Sequence, residues 1–437
     1  MNLFQNIQSY LLIIILLFFF VNCQNIPKPR YLQTSSLIGN RLYFFGGDFS
    51  TTDSSNFSAG NITNEVWYLD LSSSFNTATP PWNKDVGMPI GYFLGASCVS
   101  PIDHSVFLVG GMMFIQNTAN INLGSWPVYV FNSNISLWTT PNIIGFNSSF
   151  KMRNGIQPVI DNYGKIYTFG GTNYTGNLSS FVLYNDMSIL DTTSMTWSTL
   201  AISINGLLYY TATLLPNGII VYIGGLISRS VILYELNSMY EIQTFNTKNY
   251  NWSTKVASGA SIGSRTGHSA VLTQNGDIII YGGLWNDTHT PATPYIAKLD
   301  TSSWMWSIPN VSQINSPQLS YHSAVLYGDY MIMAFGQILS MSSISYSVLS
   351  NSLYILDIKN YTWITLFNPN QSTSNQTPPS DNHLHNDLFI GIGIGAGIVL
   401  LGVFSVVGFL LYKRKKQNQY PKFIPTPGTT DRINMMK

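Results

Sequence analysis

Cysteine, charge and catalytic signatures are all scarce in this chain. Only Cys23 and Cys98 occur among 437 residues. Cys23 lies at the end of a leader-like segment, so removal of that segment leaves Cys98 alone. An internal disulfide framework is therefore excluded as a source of stability, even in an oxidising compartment. Charged residues make up 9%, too few for a chain held open by self-repulsion. The stretch after Leu411 holds seven Lys or Arg against one acid, Asp431, which leaves 13 basic and 18 acidic residues elsewhere out of 20 and 19 in all. That acidic balance argues against phosphate-backbone binding, so no nucleic-acid partner is expected. No Gly-x-Ser-x-Gly, His-Glu-x-x-His or Walker-type loop appears, and no catalytic residue, cofactor or metal ligand is assigned.

Aromatic side chains are plentiful, at 14%, and they recur in a pattern. Six times a strand-like run ends in glycine: Gly46-Gly47, Gly110-Gly111, Gly170-Gly171, Gly224-Gly225, Gly282-Gly283 and a worn sixth, Ala-Phe-Gly336-Gln, which reads as lacking the second glycine. Each unit then ends on a tryptophan at a matching place: Trp82, Trp138, Trp197, Trp252, Trp306 and Trp363. An acid or amide precedes it, at Asp70, Asn132, Asp191, Asn246, Asp300 and Asp357, and in the last five units the step to tryptophan is always six residues. The first unit carries six extra residues before Trp82. A period of about 40–60 residues with short strands and paired glycines predicts propeller blades. Asn217-Gly218 and Asn275-Gly276 suit tight hairpins between first and second strands. The tryptophan rings are expected to fill the space between blades.

Over 31–366 this pattern resembles the kelch family of β-propellers. The matching marks are the paired glycines, the Tyr/Trp-x-Leu-Asp-like strand, the tryptophan six residues on, and the histidines of Arg265-Thr-Gly-His268-Ser and Tyr321-His322-Ser. The resemblance implies an all-β, six-bladed kelch-type propeller acting by binding. A more distant resemblance, to the galactose oxidase propeller, implies a copper site of tyrosines, histidines and a Tyr–Cys crosslink. Tyr321-His322 superficially fits such a site, but His322 holds the same repeat place as His268, and Cys98 sits where a first-strand core residue is expected. His104, His268, His289 and His322 form no cluster by spacing. His383 and His385, beside Asp381 and Asp387, fall in a polar stretch that reads as a flexible stalk.

The ends predict a membrane topology. An apolar run centred on 11–20 suits a signal peptide (1–23). Residues 388–412 carry no charge and are long enough to cross a bilayer as one transmembrane helix. Lys413-Arg414-Lys415-Lys416 follows and favours the cytoplasmic side. The expected order is signal peptide 1–23, external or luminal propeller 24–367, polar stalk 368–387, transmembrane helix 388–412 and basic cytoplasmic tail 413–437. That order predicts a single-pass type I protein of the plasma membrane or secretory pathway, with the propeller outside or luminal. Gly391 and Gly395 have a spacing that allows close helix contact and hence a homodimer. Twelve Asn-x-Ser/Thr sequons are candidate glycosylation sites: Asn56, Asn61, Asn134, Asn147, Asn173, Asn177, Asn251, Asn286, Asn310, Asn360, Asn370 and Asn375.

The loops after the glycines are the expected ligand face, because propeller function concentrates in variable loops. In units one, three and five they carry sequons. In units two, four and six they are apolar, and Met113, Phe114, Arg229, Tyr234 and Ile338 are the candidate contact residues for a protein or glycan. The other reading of the same apolar runs is that they extend the hairpins and bury these side chains. Function is expected to be non-catalytic recognition. The alternatives are a tethered copper oxidoreductase or other carbohydrate-active propeller enzyme, and a luminal trafficking factor.

Overall fold

The computed structural model describes residues 26–50, 61–115, 128–146, 150, 153–173, 182–201, 204–230, 233–285, 290–311, 316–339 and 348–370. They belong to one compact unit, Met1–Ser374; a second unit, Asn375–Lys437, lies outside the described residues. The segments expected as signal peptide, transmembrane helix and tail, with Gly391 and Gly395, also lie outside them. No described helix is long and apolar enough to cross a membrane.

The described chain is all β. Six sheets each hold four antiparallel strands, laid side by side in chain order. Their first strands are Thr34–Ile38, Ala96–Val99, Val159–Ile160, Thr211–Leu214, Ser269–Leu272 and Ser323–Tyr327. These six neighbour one another in a closed cycle, the last returning to the first. The second strands, such as Arg41–Phe45 and Ile278–Tyr281, run into the glycines, and the third strands, such as Val66–Asp70 and Leu353–Asp357, end on the acid or amide. The fifth sheet gains a short parallel strand, Ser258–Gly259, beside Met305–Ser307.

The glycines join one sheet to the next. Gly46 and Gly47 have φ of +65° and +110°, and a Cβ on Gly46 would lie 2.0 Å from the carbonyl oxygen of Tyr92, in the segment that leads into the second sheet. The N–H of each second glycine donates to that same neighbouring place: Gly47 to Tyr92, Gly111 to Arg153, Gly171 to Leu207, Gly225 to Arg265 and Gly283 to Leu319. Gly336 donates to the Arg30 carbonyl at 2.8 Å, carrying the series from the sixth sheet to the first. This corrects the reading of the sixth unit. Gly336 is the second glycine of its pair, and Phe335 (φ +62°) stands in the first place. A side chain there costs about 1–2 kcal/mol, offset by packing of its ring against Phe44 and Trp82.

Each tryptophan belongs to one core between two successive sheets. Trp138 packs between sheets one and two, Trp197 between two and three, and Trp252 between three and four. Trp306 and Trp363 continue the series, and Trp82 fills the core between sheets six and one. The constant six-residue step has a local cause. The acid or amide oxygen accepts from the backbone N–H two residues on, as at Asn132, Asp191, Asn246, Asp300 and Asp357. The chain then passes through a left-handed residue two before tryptophan: Ser136, Met195, Tyr250, Trp304 and Tyr361. Such a side-chain-closed turn has one length. The extra residues of the first unit have another use, since Phe75–Asn76 pairs with Leu366–Phe367 near the end of the sixth unit. Among the described residues none of the six four-stranded sheets borrows a strand from the opposite end of the unit, and this two-stranded clasp and the Gly336–Arg30 bond tie the two ends together.

Candidate functional site

First strands begin where second strands end (Thr34 faces Phe45, for example), so the post-glycine loops and the entrances to the first strands share one face. At the centre of that face six residues in left-handed conformation stand one per sheet: Leu32, Leu94, Gly155, Tyr209, Gly267 and Tyr321. Their backbones form a closed belt. Leu32 N–H donates to Tyr321, Tyr321 to Gly267, Gly267 to Tyr209, Tyr209 to Gly155, Gly155 to Leu94 and Leu94 to Leu32, over 2.7–3.4 Å. Tyr321 meets Tyr31 and Tyr209 edge-to-face at 6.3 and 5.9 Å. A cavity of about 100 Å³ adjoins the belt, lined in part by Gln33, Gln157, His268 and His322.

The histidines that marked the repeat are mortar. His268 accepts or shares a proton with Thr211 Oγ1 at 3.0 Å, and His322 with Ser269 Oγ at 2.8 Å, each bond reaching the preceding sheet. Burial pushes the His322 imidazole down to about 3. Burial first, then the charges of Arg265 and His322, push His268 well below its ordinary value. Cys98 is buried in the core between sheets two and three, and burial pushes its thiol up to about 12. Among the described residues no three His, Cys, Asp or Glu side chains converge as a metal site.

Charge on this face is held by arginine. Arg30 reaches Glu65 at 2.7 Å, and Glu65 also takes Lys84 at 2.9 Å. Burial alone would raise the Glu65 carboxyl, but hydrogen bonds from Lys84, Trp67 and Arg30 outweigh it and hold the group down to about 2. Arg153 grips both oxygens of Asp186 and lies 3.9 Å from the Tyr184 ring centroid.

The apolar loops of sheets two and four do not form the exposed patch expected of them. Met112–Phe114 pairs with Gly91–Phe93, and Met113 and Phe114 are buried. Cross-strand pairing turns their side chains into the cores of sheets one and two and of the axial mouth, which removes both from any contact surface. Tyr234 is half-buried opposite Ser228, and the Arg229 side chain lies outside the described set. Ile338 is exposed and pairs with exposed Val348. Trp285, 53% exposed on the fifth loop, was missed. Its signal was a tryptophan standing outside the fourth-strand place. Among sequons, Asn61, Asn134, Asn251, Asn310, Asn360 and Asn370 are exposed and Asn173 is half-buried; Asn56, Asn147, Asn177, Asn286 and Asn375 lie outside the described residues.

A family model described as the Attractin/LZTR1 beta-propeller matches residues 106–389, more than half of the chain. The chain belongs to the Attractin/LZTR1 beta-propeller family. That assignment agrees with the kelch marks and with the all-β sheets around the belt. Curated relatives of this propeller include Kelch domain-containing protein 3 of Rattus norvegicus and of Mus musculus, each 28% identical over 270 residues, and that of Bos taurus, 26% identical over 271 residues. The alignments cover 58% of this chain and 64% of the relatives, so the chain spans slightly less than two thirds of their length. Kelch-type propellers generally serve as protein-binding modules, and the loop face of this family member is its candidate site.

Proposed function

We propose that the chain is a six-bladed kelch-type propeller that binds a protein partner, non-catalytically, through the loop face around the axial belt. The carrying observation is the exposed apolar set on that face, Trp285 with the Ile338–Val348 pair, on loops that start at the glycine junctions of sheets five and six. Exposed apolar groups gathered on one face of a domain mark an interaction surface. The propeller is carried outside the cell or in a secretory lumen by a cleaved leader and the 388–412 helix, with glycans on the exposed sequons and the 368–387 stalk as spacer. A glycan ligand and a Gly391/Gly395 homodimer belong to the same proposal.

The test is partner capture by the full chain and by a Trp285→Glu/Ile338→Glu/Val348→Glu variant with an unchanged thermal midpoint. The variant is expected to lose capture at least tenfold, as when about 1.4 kcal/mol or more of contact is removed. Capture kept intact would move the site off this face. Surface biotinylation and a mass shift on deglycosylation test the placement. An unglycosylated chain found only in the cytosol would refute it.

A further inference from the structure

At the opposite end of the strands from the post-glycine loops, a groove of about 420 Å³ lies between sheets four and five. Pockets that hold a small ligand run from about 300 to 1,000 Å³. Strand alternation sets one wall. Asn251–Val256 is the fourth strand of sheet four, so Asn251, Ser253 and Lys255 share one side, while Trp252 packs against the core with sheet three. Lys255 Nζ stands 5.8 Å from the ring centre of Trp304 in sheet five, which identifies the side shared with Asn251 as the one facing that sheet. Trp304 is half-buried, and Asn251 is exposed and opens the sequon Asn251-Trp252-Ser253. The amides of the groove are left as donors. The Oδ1 atoms of Asn217, Asn246 and Asn249 accept from the backbone N–H groups of Ile219, Lys248 and Asn251, and each NH₂ remains to give. Among the described residues that line the groove there is no Asp or Glu.

Amide and ammonium donors beside an indole face suit a molecule with apolar C–H on its face and oxygen acceptors around its edge, as a pyranose ring has. We propose that the groove is filled by the chain's own glycan. The first N-acetylglucosamine on Asn251 lies over Trp304 and accepts from the amides of Asn217 and Asn246, bridging sheets four and five. This rests on the external or luminal placement proposed above. Because the attachment point is part of the wall, the contact is intramolecular, and the high effective concentration populates even a weak one. A groove of about 620 Å³ between sheets one and two also has a sequon asparagine in its wall, Asn134, but it presents Arg41, Asp70 and His104 and no indole. A sugar there has no such ring to lie on.

The test is a double-mutant cycle in thermal midpoints on the full chain made in glycosylating cells, with occupancy of Asn251 read by mass spectrometry. Asn251→Gln is expected to lower the midpoint by about 2 °C in the unaltered chain and by less than half as much beside Trp304→Ser, which gives sheet five the residue type of Ser136 in sheet two. Trp304→Tyr, the residue type of Tyr250 and Tyr361, keeps a ring and should keep the coupling. Asn134→Gln is the control and should act alike in both backgrounds. An equal effect of Asn251→Gln with Trp304 and with Trp304→Ser overturns the proposal, as does a bare Asn251 in a chain glycosylated elsewhere. A chain with no glycan at any sequon refutes the luminal placement and this proposal with it. Should Trp304→Ser fail to fold, enzymatic trimming decides. A midpoint kept with a single N-acetylglucosamine on Asn251 and lowered on its removal supports the contact, and one unmoved by removal overturns it.

Discussion

At the scale of single residues, two buried histidines make stability depend on pH. Each uses Nε2 toward a hydroxyl of the preceding sheet, while Nδ1 is buried without an acceptor. Protonation would place a charge there with nothing to take it. With the folded His322 imidazole near 3 and an unfolded value of about 6.5, the unfolded chain binds the extra proton, so stability is full above about pH 6.5 and lost as pH falls toward 3. By pH 4.5 the loss from His322 alone comes to about 2–3 kcal/mol. Urea midpoints measured from pH 7 to 4.5 should fall steeply in the unaltered chain and less in His322→Gln, whose amide can still meet Ser269. Equal slopes would remove His322 as the cause. Glycines give a second contrast. Gly39→Ala meets nothing within 4 Å at φ +56° and should cost about 1 kcal/mol. Gly46→Ala drives a Cβ onto the Tyr92 carbonyl and should cost about 3 kcal/mol or more. Thermal melts of the two variants check the order.

At the scale of elements, the turn between third and fourth strands shows why some features were legible. The six-residue step from Asp300 to Trp306 is written in the sequence because the turn is closed locally, by Asp300 on Ser302 and Ser303 and by the left-handed Trp304. Ser136 holds the corresponding left-handed place with an exposed side chain. Ser136→Gly is therefore expected to stabilise by about 1 kcal/mol, read as a higher urea midpoint; a lower one would mean that the hydroxyl has a role the turn does not require. Features that depend on distant partners were not legible. An apolar run such as Met112–Phe114 looks alike whether it faces a ligand or pairs with Gly91–Phe93, and only the pairing decides. Likewise Phe335-Gly336 could be placed against a glycine pair in two registers, and the bond from Gly336 to Arg30, about 300 residues away, chooses between them. The arginines were equally opaque, because Glu65 and Asp186 lie 35 and 33 residues from the guanidinium they neutralise. Exposed Trp285 shows the converse: a residue that breaks the repeat's spacing was the better pointer to surface than apolarity inside it.

At the scale of the whole molecule, ring closure determines how the chain comes apart. Every tryptophan-bearing core is shared by two sheets, including the one containing Trp82 that joins the sixth to the first. The clasp adds Phe75 stacked on Phe367 at 4.8 Å, beside Tyr330. An open row of sheets could lose its end members first, as solenoids do. A closed one offers no end, so opening any junction exposes two half-cores at once. Phe367→Ala acts at the junction of sheets six and one, and Trp306→Ala at that of four and five, where Trp306 Nε1 also donates to the Met239 carbonyl at 2.7 Å. Each removes a buried aromatic ring, for a loss of about 3–5 kcal/mol. Although the substitutions lie in different sheets, each should lower a single shared transition, with calorimetric and van't Hoff enthalpies still in agreement. Two resolved transitions in Phe367→Ala, with sheets six and one melting ahead of the rest, would mean that the clasp alone keeps the ring closed. A single lowered transition in both variants would mean that the glycine junctions and tryptophan cores close it together.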